Sequence, residues 1–543
     1  MKTIIKNIAF VILLALNMHS MYAQTENPVI SAIQKEIDRN KTELKMEGMP
    51  APFFISYSVL DWYEYNLSAS LGAITSYNEF HRRNGLPQLL VGDYLRNNLK
   101  INERPYYPSM TTLYDNTPGI AITAWDQLDG MYKNAIEAFR IKLALQQQQT
   151  QTDEEKNLPD YEQVKPASMI LQPAPLNFDR KYWENFLRKA SETAKLYPDI
   201  TTSNLALTVQ NIMTYTYNTE GSQYASPSTI YQLVFTVNAR AVDGQELVHR
   251  LFVENATLEQ MPDIETYISE CKNLLDNLIK LKNAPIINDA YSGPVLFEGK
   301  AVEYLFRNNF FWNGKMFASP KTFQNNQQVA GNDFELMLGK KVISRSITMK
   351  SITGEEFYKG KRLNGYYPID DEGIVPDKEL VLIENGVLRN LLNGRKPTIH
   401  VRNSNGHVRF SFSNGQKRIM PGNILITCNQ TFSKDELRKK LLEMAKEEDF
   451  EYAYIVHDMF LNLISRIKVS DGTEELVRGA IVSDVNIKTF KRIIGATDNE
   501  AMYSFDFPQT TVIFPDAMLF EDIDITRMPN IDFKKPYIVP KPQ

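Results

Sequence analysis

Apolar positions along this 543-residue chain change period several times, and each change marks an element. Residues 27–46 place Ile30, Ile33 and Ile37 at helical spacing, so a first helix is expected there. From Pro52 the pattern shortens: 53–59, 66–74 and 88–94 are brief apolar or alternating runs between polar breaks, which read as strands. A long helix is expected over about 128–148, where Met131, Ile136, Phe139, Leu143 and Leu145 form an apolar stripe ending in the glutamines Gln146 to Gln149. Between Thr150 and Asp179, four prolines (Pro159, Pro166, Pro173 and Pro175) and clustered charge argue for a surface connection without a regular element. A helix at about 180–196 leads to strands at 205–217 and 230–242, followed by turn signals at Asn218 to Gly221 and at Asp243-Gly244. The second signal predicts a tight hairpin with positive φ at both central residues. An amphipathic helix over 264–281 closes the first lobe.

Beyond Tyr291 the pattern is dominated by turn chemistry: Asn364-Gly365, Asn385-Gly386, Asn393-Gly394, Asn405-Gly406, Asn414-Gly415 and Asp471-Gly472. Short β-rich runs between such turns predict an antiparallel sheet or a partly closed barrel. One helix interrupts them, opened by the capping box Ser433/Glu436 and carrying Leu437, Leu441, Leu442 and Met444 as its buried stripe. The tail 536–543, with Pro536, Pro540 and Pro542, is expected to be extended. The fold class is therefore α+β, with an N-terminal mixed α/β lobe and a C-terminal, mostly antiparallel β lobe with few helices. Two lobes also suit the length, since single cores stop growing near roughly 250–300 residues. We expect domains at 24–285, with the connection at about 150–179, and at 290–543.

Composition and charge add a compartment. Lys2 and Lys6 precede the apolar run 8–16, and a polar stretch closes at Met21, Tyr22 and Ala23, the order of a secretory signal peptide over 1–23. The run falls short of the ~20 residues that span a bilayer, so no stable membrane anchor is expected. Cleavage between Ala23 and Gln24 would take the net charge from −5 to −7, because two lysines and no acids are lost. The protein is thus expected to be exported, to the periplasm or beyond the cell. Lysines and arginines are interspersed with acids, as where Arg438, Lys439 and Lys440 lie among Asp435, Glu436 and Glu443, so no nucleic-acid partner is expected. Cys271 and Cys428 leave one long-range disulfide open.

Familiar site motifs are absent: no His-Glu-x-x-His, no Gly-x-Ser-x-Gly, no phosphate loop and no Cys-x-x-Cys. The mature histidines His81, His249, His400, His407 and His457 are never three to five residues apart, which excludes a zinc pair on one helix. His407, in the turn 403–409, reads as an exposed hairpin histidine. Asp370, Asp371 and Glu372 read as a solvated acidic turn, since they lack the spacing of a calcium loop.

The segment from Tyr291 to Glu303, Tyr-Ser-Gly-Pro-Val-Leu-Phe-Glu-Gly-Lys-Ala-Val-Glu, resembles the opening of the C-terminal domain of the TldD/PmbA family, the metallopeptidase-like group also called modulators of DNA gyrase. The likeness continues through 369–373, 382–388 and 404–409, with weaker echoes at 91–94 and 217–221. The closing stretches 471–480 and 514–521 resemble an exported subgroup from Bacteroidetes-type bacteria. In catalytically competent members the first segment carries His-Glu-x-x-x-His, two zinc ligands and a general base. The resemblance puts Phe297 and Val302 at the ligand positions and leaves Glu298 as the retained acid of a degenerate motif. Neither Phe nor Val offers zinc a lone pair. The resemblance therefore implies peptide handling without an expected cofactor, by a subunit that binds peptide or protein, as a homodimer or with a related subunit. Two alternatives stay open: an active metallopeptidase whose zinc is held by other residues such as His400, His407 or His457, and a periplasmic ligand-binding or structural protein.

Overall fold

The alternating runs of the first lobe form long hairpins. A computed structural model describes residues 27–101, 109–115, 118–173, 176, 178–325, 327–411, 415–483, 485–505 and 509–528; the expected leader, the turn residue Asn414 and the tail lie outside these. Helix α1 (Pro28–Glu43) is followed by strands β1 (Pro52–Ser70) and β2 (Ala73–Val91), each 19 residues long. The stretch 66–74, expected as one strand, straddles the reversal between them, where Leu71 and Gly72 take φ of 49° and 77°. Alternation alone does not reveal a two-residue turn that lacks an Asn-Gly or Asp-Gly signal.

The lobe continues through β3 (Ser109–Met110), α2 (Pro118–Gln147), α3 (Asp153–Asn157), β4 (Ser168–Ile170), α4 (Arg180–Glu192), β5 (Ile200–Asn218), β6 (Gln223–Arg240), β7 (Glu246–Asn255) and α5 (Ile264–Lys282). Helix α2 begins nearly three turns before the expected start, because Ile120 and Ala124 extend the stripe of Leu128 at four-residue spacing. The expected irregular connection holds two short elements: α3, opened by a Thr152/Glu155 capping box, and β4, which pairs parallel with β6. The Asp243-Gly244 turn is looser than expected. Only Gly244 has positive φ (94°), while the Asp243 carboxylate accepts from the Gln245 N–H (3.1 Å) and pairs with Arg478 (2.8 Å).

These strands make one seven-stranded sheet in the order β3-β2-β1-β5-β6-β4, with β7 also on β6. Alternation assigns its two faces. Odd positions of β1 and β5, such as Tyr57, Leu67, Leu207 and Tyr215, pack under α1 and α2 at one end and α4 and α5 at the other. Even positions, among them Phe54, Leu60, Trp62 and Ile212, meet Tyr161 and the second-lobe residue Phe410 instead. With both faces covered, β1 reads as a nearly continuous apolar run at its start.

The second lobe opens with β8 (Tyr291–Glu298) and α6 (Lys300–Phe306), and α7 (Lys434–Glu447) follows with the expected Ser433/Glu436 capping box. Strand β8 lies inside an eight-stranded sheet, parallel to Tyr452–Asp458 and antiparallel to Ala517–Arg527. A six-stranded sheet built around Ile347–Ser351, Asn423–Cys428 and Thr510–Pro515 faces the same core. Both sheets are mostly antiparallel and open, so the architecture is α+β and the partly closed barrel is not formed. The sheets bury their apolar faces against each other, through Val295, Phe297, Ile347, Ile426 and Phe514, and α7 covers the far side at Leu296 and Ile455.

The turn signals divide into two kinds. Asn385-Gly386 (φ 46° and 77°) and Asp471-Gly472 (Gly472 φ 75°) close hairpins between paired strands. Asn364, Asn393 and Asn405 are instead hydrogen-bonding hubs: the Asn364 amide donates to Glu254 O (2.9 Å) across the lobes, and Asn393 donates to Asn403 O (2.9 Å). Among the described residues no helix is long and apolar enough to cross a membrane.

Candidate functional site

Gly299 decides what the first segment of resemblance can do. It takes φ 54° and ψ −126°, a conformation that only glycine adopts cheaply, and so ends β8 and starts α6 within one residue. Alternation along β8 then points Phe297 and Glu298 to opposite sides of the sheet. Phe297 is fully buried, its ring 5.2 Å from that of Phe520, and Val302 on α6 is fully buried in the same core. Glu298 faces α7, where Lys434 and Arg438, four residues apart, share one side of the helix.

Glu298 is saturated by cations. One oxygen lies 3.2 Å from Lys434 Nζ and 3.4 Å from His457 Nδ1, and the other 3.3 Å from Arg438 Nη2. His457 Nε2 lies 3.0 Å from Ser465 Oγ and 3.5 Å from Glu474, which also pairs with Arg438 at 3.2 Å. Burial alone would raise the Glu298 pKa, but the His457 hydrogen bond and the charges of Lys434 and Arg438 outweigh it and hold the carboxyl at about 2. For His457, burial works downward, yet its two carboxylate partners raise its pKa above the ordinary value. An acid held at about 2 is a weak proton acceptor, because general bases work best with pKa near the operating pH.

Zinc does not fit this place. It needs three or four N, S or O ligands at about 2.0–2.3 Å, whereas Phe297 and Val302 present hydrocarbon in a closed core and Glu298 is spent on three cations. Among the described residues no cluster of three or more His, Cys, Asp or Glu side chains is arranged to hold a metal ion. His407 departs from the expected exposed turn. It is buried, with Nε2 2.8 Å from Ser351 Oγ and Nδ1 2.9 Å from Asn405 Oδ1, and burial pushes its pKa down to about 4. Cys271 and Cys428 are both free thiols; burial pushes the Cys271 thiol up to about 12.

A second constellation gathers the other segments of resemblance. The turn 370–372, expected to be solvated, is buried because its carboxylates serve as acceptors for the surrounding backbone. Asp370 accepts from Glu372 N (2.9 Å), Ile374 N (2.8 Å) and Val408 N (3.1 Å), Asp371 from Phe410 N (2.6 Å), and Glu372 from Arg395 N (2.7 Å). Burial, then the charge of Glu372, raises Asp370 to about 7. Arg395, fully buried, reaches into the first lobe: its Nη2 lies 2.7 Å from Glu220 Oε1 and 2.6 Å from Glu162 O, and its guanidinium sits 4.2 Å from the Tyr161 ring. Tyr94 donates to the same Glu220 oxygen at 2.8 Å. The weaker first-lobe echoes at 91–94 and 217–221 therefore meet the second-lobe segments 369–373 and 404–409 in space. Arg395, Tyr161 and Glu220 are missed by sequence reasoning, since each is a lone residue whose partner is more than 170 positions away or in another lobe.

Comparison with known proteins agrees with this geometry. Residues 291–527 match the family described as "PmbA/TldA metallopeptidase C-terminal domain". None of the curated proteins matches. Among solved structures, the chain is similar to a candidate modulator of a DNA gyrase from Thermotoga maritima (TM-score 0.57, 15% identity, 91% of this chain and 100% of that one). It is also similar to TldE from Thermococcus kodakarensis (0.55, 12%, 91% and 100%) and to a candidate modulator of DNA gyrase from Bacteroides thetaiotaomicron (0.55, 9%, 94% and 100%). At such identities these likenesses establish the two-lobe fold. The second lobe thus carries the metallopeptidase-like C-terminal domain of the PmbA/TldD family, and the chain as a whole shares the two-lobe fold of these structures.

Two expectations follow. Arg395→Met leaves Glu220 buried without its cation and is expected to cost about 3–5 kcal/mol in denaturant unfolding; a loss below about 1 kcal/mol would show that other contacts join the lobes. The charge cluster around Glu298 sets a pH window. Glu298, depressed from 4.5 to about 2, contributes stability that is full above about 4.5 and is lost as pH falls below it. His457, raised above 6.5, contributes stability that is full below 6.5 and is lost as pH rises through its folded value. These are two views of one interaction, so the melting temperature should plateau between those limits and fall on both sides. His457→Gln should flatten the alkaline side, and an unchanged profile there would remove His457 from the account.

Proposed function

We propose that this chain is a non-hydrolytic member of its family, a periplasmic or secreted subunit that binds peptide or a sister subunit without cutting. The observation that carries the proposal is Glu298, the one acid left in the segment, tied to Lys434, Arg438 and His457 while Phe297 and Val302 fill the core behind it. Hydrolysis of an amide by a metallopeptidase needs a metal to polarise the carbonyl and lower the pKa of a bound water. With no such ligand set here, Glu298 has no activated water to deprotonate, and its role is to anchor the start of α7 to β8. The other segments of resemblance are kept as a buried interlobe network, which preserves the scaffold independently of any reaction. Export rests on the leader pattern Lys2, Lys6 and 8–16.

The first test is the metal content of the mature protein, purified without chelator, beside Glu298→Ala. Substoichiometric zinc in both is expected. About one tightly held zinc per chain, with peptide hydrolysis abolished by chelator, would overturn the proposal. Export is checked by sequencing the N-terminus of the purified exported protein: Gln24 is expected first, and an intact Met1 would sink the leader reading.

A further inference from the structure

One strand of the second lobe changes partners in mid-course. Along one edge, Ala517–Arg527 pairs with Ile493–Thr497 as far as Phe520 and with Ala480–Ser483 from Asp524 onward, so among the described residues Glu521, Asp522 and Ile523 have no partner strand on that side. Along the other edge a bulge against β8 falls at the same place, between Phe520 and Ile523, and a bulge bends the strand and adds twist. The two irregularities leave a notch of about 260 Å³. Its strand side is Asp522, Ile523 and Asp524, and its outer wall is the turn that carries Val485 and Lys488 and ends at Arg492. Asn486 stiffens that turn: its side-chain oxygen accepts from Lys488 N (2.9 Å), and its own N–H donates to Thr489 Oγ1 (3.2 Å). The notch lies beside Ser292 and Gly293, at the opposite end of β8 from Glu298 and roughly 17–20 Å from it at the rise of a strand.

Two charges in the notch are unmatched. Arg492 and Asp522 neutralise each other at 2.6 Å, and the second Asp522 oxygen accepts from Ser292 Oγ at 3.1 Å. The Asp524 carboxylate and the Lys488 ammonium, by contrast, have no ion-pair or hydrogen-bond partner among the described residues and are not paired with each other, although both line the same space. Between them the floor is apolar, with Ile523 3% exposed and Val485 half-buried. The volume falls just below the roughly 300–1,000 Å³ of pockets for drug-sized ligands, which suits one small molecule. A simple anion would meet Asp522 and Asp524, a simple cation would meet Lys488 and Arg492, and a neutral ligand would leave both free charges uncompensated. A zwitterion satisfies the two at once, through charge-assisted hydrogen bonds of opposite sense.

We propose that this notch binds a free aliphatic α-amino acid, with its ammonium on Asp524, its carboxylate on Lys488 and its side chain against Ile523 and Val485. The strand edge left without a partner adds backbone N–H and C=O groups of the kind that capture amino and carboxylate termini. The inference stands whether or not the protein cuts peptides, because the notch uses none of Glu298, Lys434, Arg438 and His457.

Equilibrium dialysis of the mature protein against labelled L-leucine should show one site per chain with a dissociation constant below about 1 mM. Isoamylamine, which lacks the carboxylate, and isocaproate, which lacks the ammonium, should each bind the wild type at least about tenfold more weakly, the loss of one hydrogen bond to a charged group. Asp524→Asn should weaken leucine about tenfold and leave isocaproate unchanged, and Lys488→Gln should weaken leucine equally and leave isoamylamine unchanged. Both variants should melt like the wild type, since neither side chain holds another group among the described residues. Leucine binding that does not saturate, analogues that bind the wild type as tightly as leucine, or folded variants that bind leucine like the wild type would each overturn the proposal.

Discussion

The buried guanidinium of Arg395 is the constraint on which the relation of the two lobes depends. A charge with no water around it is costly unless oxygens meet it, and here Nε and Nη2 find theirs on the other lobe, at Glu220 and the backbone of Glu162. Holding it there fixes the segment 160–162, which would otherwise be a proline-rich surface run, against the face of β1 at Phe54. It also fixes the turn 370–372, whose Glu372 accepts from the Arg395 backbone. Once those carboxylates are buried they in turn recruit Val408 N and Phe410 N, and the neighbouring His407 is buried between Ser351 and Asn405. One cation thus organises loops from both lobes.

The second organising feature is the opposed pair Phe297 and Glu298. A strand must send neighbours to opposite faces, so a ring in the core obliges the next residue to look at α7. Because that helix presents Lys434 and Arg438 at its start, the acid becomes one pole of a charge cluster and the family segment acts as a joint between sheet and helix. The core behind it is filled by Phe297, Phe306, Phe310, Phe490 and Phe520, so this end of the strand supports packing.

Much of this was legible in the chain. The 3.6-residue stripes of α1, α4 and α5, the Ser433/Glu436 box and the Asn385-Gly386 hairpin depend on neighbours within a few positions, and the sequence signals state them directly. The family segments could be read because they are contiguous. What misled were signals whose meaning depends on burial. Asn393-Gly394 and Asn405-Gly406 look like solvent turns, yet the Asn side chains satisfy buried backbone groups; Asp370 to Glu372 look solvated, yet they are acceptors inside the protein.

Sequence by itself determined the two-lobe α+β class and the local elements, since these follow from side-chain chemistry and short-range periodicity. Only the tertiary structure decided which charges pair. Glu298 with Lys434, Arg395 with Glu220 and His407 with Ser351 are 56 to 175 residues apart, and desolvation, which turns an ordinary acid or histidine into a fixed structural contact, is a property of the packed molecule.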